Sequence, residues 1–190
     1  MELASTLPAG WYTDPDVYQR ERRPIFGRSW ILVGDDRQIP EPGDYFTEEV
    51  AGWHLFVRRR DDGTLTAFHN VCPHRAGPIV SDGCAHAANL TCRYHGWAFA
   101  ADGALLNARD FGAAVPDDIS LTAVRVASWR GFIFVCLDPD TPPLEEWFGA
   151  FPASIAGIPL ESYRFERRTI RRVACNCLLY TSDAADDTPC

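Results

Sequence analysis

From Ser29 onward the chain sets short apolar or alternating segments between turn residues, which is the pattern of an antiparallel β domain. Residues 30–34 read as the first strand. Two runs, 45–60 and 65–71, flank Asp61-Asp62-Gly63, where Asp-Gly supplies the positive φ angles that a tight hairpin needs. The same chemistry recurs with Ala101-Asp102-Gly103 at the tip of residues 96–106. A further pair, 121–128 and 131–138, closes around Trp129-Arg130-Gly131. Seven or eight strands with no long internal repeat follow, so the expected class is mainly β.

The flanks differ. Residues 11–28 predict an amphipathic helix: Asp14 caps it, Pro15 suits its first turn, Val17, Ile25 and Phe26 form an apolar side, and Pro24 divides it. Beyond Asp138, Pro139, Pro142 and Pro143 mark a linker. Residues 144–151 then begin as a short helix with Glu145 and Glu146 in its first turn, and residues 163–176 read as a strand of a second unit. The longest apolar run near the middle, residues 132–137, is far short of the about 20 residues that span a membrane. Residues 1–10 lack the basic and apolar regions of a secretory signal, so the expected compartment is the cytoplasm.

At 190 residues and 46% hydrophobic, the chain has room for one packed domain and part of another. Its net charge of −8 argues against a nucleic-acid groove. All 18 basic residues are Arg, in keeping with a GC-rich genome, and the runs 58–60 and 167–172 read as solvated strand faces. Seven cysteines, an odd number, point to metal or redox chemistry before a disulfide framework. Cys84, Cys136 and Cys175 read as structural, with Cys84 and Cys136 buried; Phe132 and Phe134 read as core.

The chemistry concentrates in Cys72-Pro73-His74 and Cys92-Arg93-Tyr94-His95, a C-x-H-x17-C-x2-H spacing. Each half offers one thiolate and one imidazole. Thiolates select zinc or iron–sulfur, and imidazole serves both. Structural zinc sites usually draw two Cys from one knuckle, whereas a [2Fe-2S] cluster with two Cys on one iron and two His on the other takes one ligand of each kind from each loop. His54, His69 and His86 read as ordinary histidines.

These boxes, CPHRAG (72–77) and CRYHGW (92–97), resemble those of the Rieske family. The flanks FHNVCPHR, WRGFIFVCLDP and YTDPDVYQRERRPIFGRSWILVG resemble the α subunits of Rieske non-haem iron oxygenases. The resemblance implies an antiparallel β-sandwich or partly open barrel with two cluster-binding loops, a [2Fe-2S] cluster on Cys72, His74, Cys92 and His95, and supporting roles for Arg75, Gly77, Tyr94 and Trp97. Gly77 and Tyr94 stand where the respiratory type carries a bracing pair of cysteines, which implies a potential near the low end of about −150 to +300 mV. It further implies a mononuclear Fe(II) site in a catalytic domain, an NAD(P)H-dependent flavin/iron–sulfur reductase or a ferredoxin as electron donor, and a homotrimer or α3β3 assembly, with neither nucleic acid nor membrane as partner.

The corresponding division is an N-terminal helical segment (1–28), the Rieske domain (29–140), the start of a truncated α+β catalytic domain (141–176), and a non-native tail (177–190) resembling a translated sequencing adapter. No His follows His95, so no catalytic residue is expected in the chain as given, and it should carry electrons without oxygenating a substrate. The alternatives are a standalone Rieske ferredoxin-type carrier and a zinc-binding structural module.

Overall fold

The computed structural model describes residues 7–109, 111–112, 118–164, 166–167, 169 and 172–178. Near the N-terminus, α1 (Pro15–Arg22) begins where the Asp14 carboxylate accepts the Asp16 N–H at 2.8 Å. It is shorter than the sequence predicts: 3₁₀ turns at Ala9–Tyr12 and Phe26–Arg28 take up the ends. Val17 is its buried residue, while Ile25 lies exposed beyond the last turn. Arg22 docks the helix by donating from Nε to the Ala51 carbonyl at 2.6 Å and lying 4.4 Å over the Trp53 ring.

The described residues form ten strands: β1 (Ile31–Asp35), β2 (Asp44–Val50), β3 (Trp53–Arg59), β4 (Leu65–His69), β5 (Cys84–His86), β6 (Leu90–Thr91), β7 (Ala98–Phe99), β8 (Leu105–Asn107), β9 (Ala123–Trp129) and β10 (Phe132–Cys136). Seven make one antiparallel sheet in the order β1-β10-β9-β4-β3-β2-β5, and β6-β7-β8 make a second. The mainly β expectation holds. Residues 45–60, one run in the sequence reading, are two strands. They turn at Ala51 and Gly52, both at positive φ (47° and 81°), with Val50 paired to Trp53.

Strand β3 shows how the sheet is packed. Its side chains alternate: Phe56 joins a cluster with Phe68, Cys72, Leu90, Cys92, Trp97 and Phe99, while Leu55 and Val57 join another with Val33, Phe46, Ile133 and Val135. Both faces are therefore covered. This corrects the reading of residues 58–60 as a solvated face. Arg58 is only 4% exposed, and Arg59 is tied to the carbonyls of Ile39 and Gly63 at 2.6 and 2.9 Å. On β10 the core residues are Ile133 and Val135, whereas Phe134 packs on Phe148 at 5.3 Å in a third, peripheral cluster.

The proline-rich linker is held to the sheet. Trp30 Nε1 donates to the Pro142 carbonyl at 2.9 Å, and Arg125 reaches the carbonyls of Asp138, Pro139 and Thr141. Short helices α2 (Leu144–Phe148) and α3 (Phe151–Ser154) follow. The described residues of 163–176 are not in a strand. Asn176 instead bonds to the Tyr12 carbonyl and to Glu21, each at 2.6 Å, an arrangement that offers no sheet edge to pair with. Of the tail, only Cys177 and Leu178 are described; residues 179–190 lie outside the described residues. Among the described residues no helix is long and apolar enough to cross a membrane.

Candidate metal centre

Two loops meet at one end of the first core cluster. The first follows β4 and carries Cys72 and His74; the second joins β6 to β7 and carries Cys92 and His95. Their backbones repeat each other. Cys72 N–H donates to the Gly77 carbonyl and Cys92 N–H to that of Trp97, both at 2.8 Å. Ala76 N–H returns to the Cys72 carbonyl and Gly96 N–H to the Cys92 carbonyl, both at 2.9 Å. The fourth residue after each cysteine has positive φ, 57° at Ala76 and 73° at Gly96. The loops differ in where the imidazole is placed, two residues after one cysteine and three after the other.

Two features hold the loops in place. Asn70, buried at the end of β4, accepts the N–H groups of Ile79 and Val80 at 2.8 and 3.0 Å and donates to the Val80 carbonyl at 3.0 Å, closing the stem of the first loop. Gly77 lies against the second loop so closely that a Cβ there would stand 2.9 Å from Tyr94 Cβ and 3.1 Å from Cys92 Sγ.

His74, Cys92 and His95 line one cleft at this junction, and Cys72 and Cys92 are both buried in the first core cluster. Burial pushes the Cys72 thiol above its ordinary pKa, opposed by the N–H groups of His74 and Arg75 that point at its sulfur. The rings of His74 and His95 lie 4.7 Å apart. His74 is held below the usual histidine pKa by desolvation, and then by the charges of His95 and Arg75. Its face is covered by Trp97, stacked at 4.6 Å with only 4° between the planes, and its Nδ1 is buried with no hydrogen-bond partner. Tyr94, 62% exposed, lies over His95 at 3.9 Å. An open cleft of about 540 Å³, lined by His74, Arg93, Tyr94, His95 and Arg109 among others, borders the imidazoles.

Two thiols and two imidazoles are the residue types that an iron–sulfur centre with mixed ligation takes. Among the described residues no three His, Cys, Asp or Glu side chains gather as around a metal ion; Cys72 and Cys92 share one core cluster, and the His74 and His95 rings lie 4.7 Å apart. A buried, unpartnered imidazole nitrogen needs an acceptor for its proton or a Lewis acid for its lone pair. Residues 29–126 match the family described as the Rieske [2Fe-2S] domain.

The chain belongs to the Rieske [2Fe-2S] domain family. Over 156 residues it is 36% identical to the carnitine monooxygenase oxygenase subunit of Escherichia coli (strain K12), an alignment covering 80% of this chain and 41% of that protein. It is 39% identical over 142 residues to the chlorobenzene dioxygenase subunit alpha of Cupriavidus sp. (strain PS12), covering 73% and 32%. The apo crystal structure of a quaternary ammonium Rieske monooxygenase superposes with a TM-score of 0.74 at 33% identity, covering 80% of this chain and 45% of that one. The chain thus spans about two-fifths or less of the length of these curated relatives.

The remaining residues singled out by the sequence separate clearly. Gly77 lies against Cys92 and Tyr94, Trp97 lies on His74 and Tyr94 on His95, and Arg75 is exposed. Cys136 is fully buried as expected, but Cys84 is exposed because β5 is the outer strand of the large sheet. His86 pairs with Asp44 at 3.1 Å and His54 faces Glu49 at 3.8 Å. Sequence reasoning missed Asn70 and Phe111. Asn70 stands two residues before Cys72, and an Asn ending a strand beside a loop was an available signal. Phe111, which meets the His74 and Trp97 rings edge-on at 6.4 and 5.4 Å, had none.

Proposed function

We propose that Cys72 and Cys92 ligate one iron and His74 and His95 the other iron of a Rieske [2Fe-2S] cluster, and that the chain is the electron-relaying part of an oxygenase α subunit. The observation that carries the assignment is the buried, unpartnered Nδ1 of His74, whose ring lies 4.7 Å from that of His95 on loops that also bury Cys72 and Cys92. When bound, the cluster supplies one-electron storage. The chain's own residues set the conditions for it. The N–H groups of His74 and Arg75 stabilise charge on the Cys72 sulfur. Trp97 and the surrounding core exclude water from the thiol side, while His95 and Tyr94 border the cleft where a redox partner can approach.

On this reading residues 29–140 are the cluster domain, residues 1–28 are an N-terminal helical segment, and residues 141–176 lead into a catalytic unit. In the whole protein, electrons from an NAD(P)H-dependent flavin/iron–sulfur reductase or a ferredoxin would pass through this domain to a mononuclear non-haem Fe(II) site. There O2-dependent hydroxylation or dioxygenation takes place, within a trimer or α3β3 assembly. The curated relatives named as monooxygenase and dioxygenase subunits support this.

The test is anaerobic purification with iron and sulfide analysis and EPR after dithionite reduction. Two iron and two sulfide per chain are expected, with an average g below that of all-cysteine clusters. A colourless protein carrying one zinc would refute the assignment.

A further inference from the structure

Among the described residues, four buried side-chain atoms lack a hydrogen-bond partner: Nε and Nη1 of Arg58, Nδ1 of His74 and Nε1 of Trp97. The Arg58 atoms belong to a side chain that already donates from Nη2 to the Ala87 carbonyl, on β3 away from the two loops. The other two lie together. The Trp97 indole is 2% exposed and stacks on His74 with nearly parallel planes. Water does not reach the indole N–H, and a buried donor without an acceptor is destabilising. A phenylalanine would fill most of the same space without that penalty, so the indole is explained if an acceptor enters the site.

The acceptors that a bound cluster brings are sulfur atoms. Trp97 is close to where they must lie. Its carbonyl accepts the Cys92 N–H at 2.8 Å, and its ring belongs to the same packed cluster as Cys72 and Cys92. Resting on the cluster reading above, we propose that the indole N–H of Trp97 donates a hydrogen bond to a sulfur of the bound centre, making Trp97 a positioning residue that raises the cluster's reduction potential. The electron balance is simple. One electron from an external one-electron donor adds one negative charge to the cluster, and the indole keeps its proton. A donor aimed at sulfur is strengthened by that charge and so favours the reduced form. The stack also fixes the plane of His74, so Trp97→Phe removes the donor while keeping an aromatic face on the imidazole.

The experiment uses the cluster-loaded chain with 15N in the tryptophan indoles, reduced with dithionite, and pulsed EPR. A 15N coupling is expected beside the histidine nitrogen couplings, together with a proton coupling that exchanges in D2O. Both should vanish in Trp97→Phe. In that variant the iron and sulfide content should stay at the wild-type level, the potential measured by redox titration should fall, and the pH dependence of the potential should keep its form. A Rieske signal without indole coupling in the wild-type protein, or a Trp97→Phe potential equal to or above wild type, overturns the proposal. Should Trp97→Phe fail to load, the coupling in the labelled wild type decides alone. Absence of any Rieske signal in the wild type would overturn the ligand assignment as well, which separates the two failures.

Discussion

Replacing Gly77 by alanine tests how tightly the two loops are locked. The position has an ordinary negative φ, so the backbone accepts alanine and the whole effect is steric. The new Cβ would lie 2.9 Å from Tyr94 Cβ, which is 0.5 Å inside the 3.4 Å where ordinary contact begins, and 3.1 Å from Cys92 Sγ. A Cβ cannot swing away as a side-chain tip can. Residues 92–97 must move as a body, carrying the Cys92 sulfur and straining the hydrogen bond from Cys92 to Trp97. Overpacking of this kind costs about 1–3 kcal/mol, which corresponds to roughly 5- to 150-fold in the ratio of closed to open loop. The assay is urea unfolding of the cluster-free protein, with iron and sulfide counted after reconstitution. Gly157→Ala is the control, since nothing lies within 4 Å of that Cβ and its φ is not positive. Gly77→Ala should lose stability and cluster occupancy while Gly157→Ala loses neither. Wild-type stability and full occupancy in Gly77→Ala would show that the loops are not closed on each other as described.

Asn70→Ala leaves the Ile79 N–H and the N–H and carbonyl of Val80 without their partner. At about 1–3 kcal/mol for a buried polar group left unsatisfied, the urea midpoint should fall markedly; a change too small to resolve would show that water replaces the amide. Arg58→Met removes two buried, unpartnered guanidinium nitrogens and gives up only the 3.3 Å bond from Nη2 to the Ala87 carbonyl, so the melting temperature should rise by the equivalent of about 1 kcal/mol, and a lower melting temperature would contradict this. Glu161 is held at about 2 by its hydrogen bonds with Arg130, below the ordinary 4.5. Because the folded pKa is the lower one, the stabilisation is present above pH 4.5 and is lost as the pH falls through about 2. The melting temperatures of wild type and Glu161→Gln should therefore differ at pH 7 and draw together as the pH is lowered through about 2, and a difference that does not shrink over that range would refute the pairing.

Local chemistry was legible along the chain. Asp61-Asp62-Gly63, Ala101-Asp102-Gly103 and Trp129-Arg130-Gly131 all turn where expected, with Gly63, Gly103 and Gly131 at positive φ, because a tight turn is decided by the residues within it. The Cys and His spacing marks two matching loops for the same reason: each loop closes on itself over six residues, from cysteine N–H to the carbonyl five positions on. The turn at Ala51-Gly52 escaped notice since its first residue carries no turn preference. Strands β5 and β6, of three and two residues, are too short to show a period.

The sequence by itself determined the mainly β class, the principal hairpins and the matching pair of Cys- and His-bearing loops. Tertiary structure decided which faces those elements bury. With both sides of β3 covered, alternation no longer separates core from solvent, and Arg58 is buried in a run that reads as solvated. It also decided that Trp97 covers His74, that Gly77 meets Tyr94, and that His74 Nδ1 is left unpartnered. Each of these joins atoms from different loops, or depends on the packing around both. Such contacts are set by how the strands place the loops in space, and separation along the chain carries no record of that.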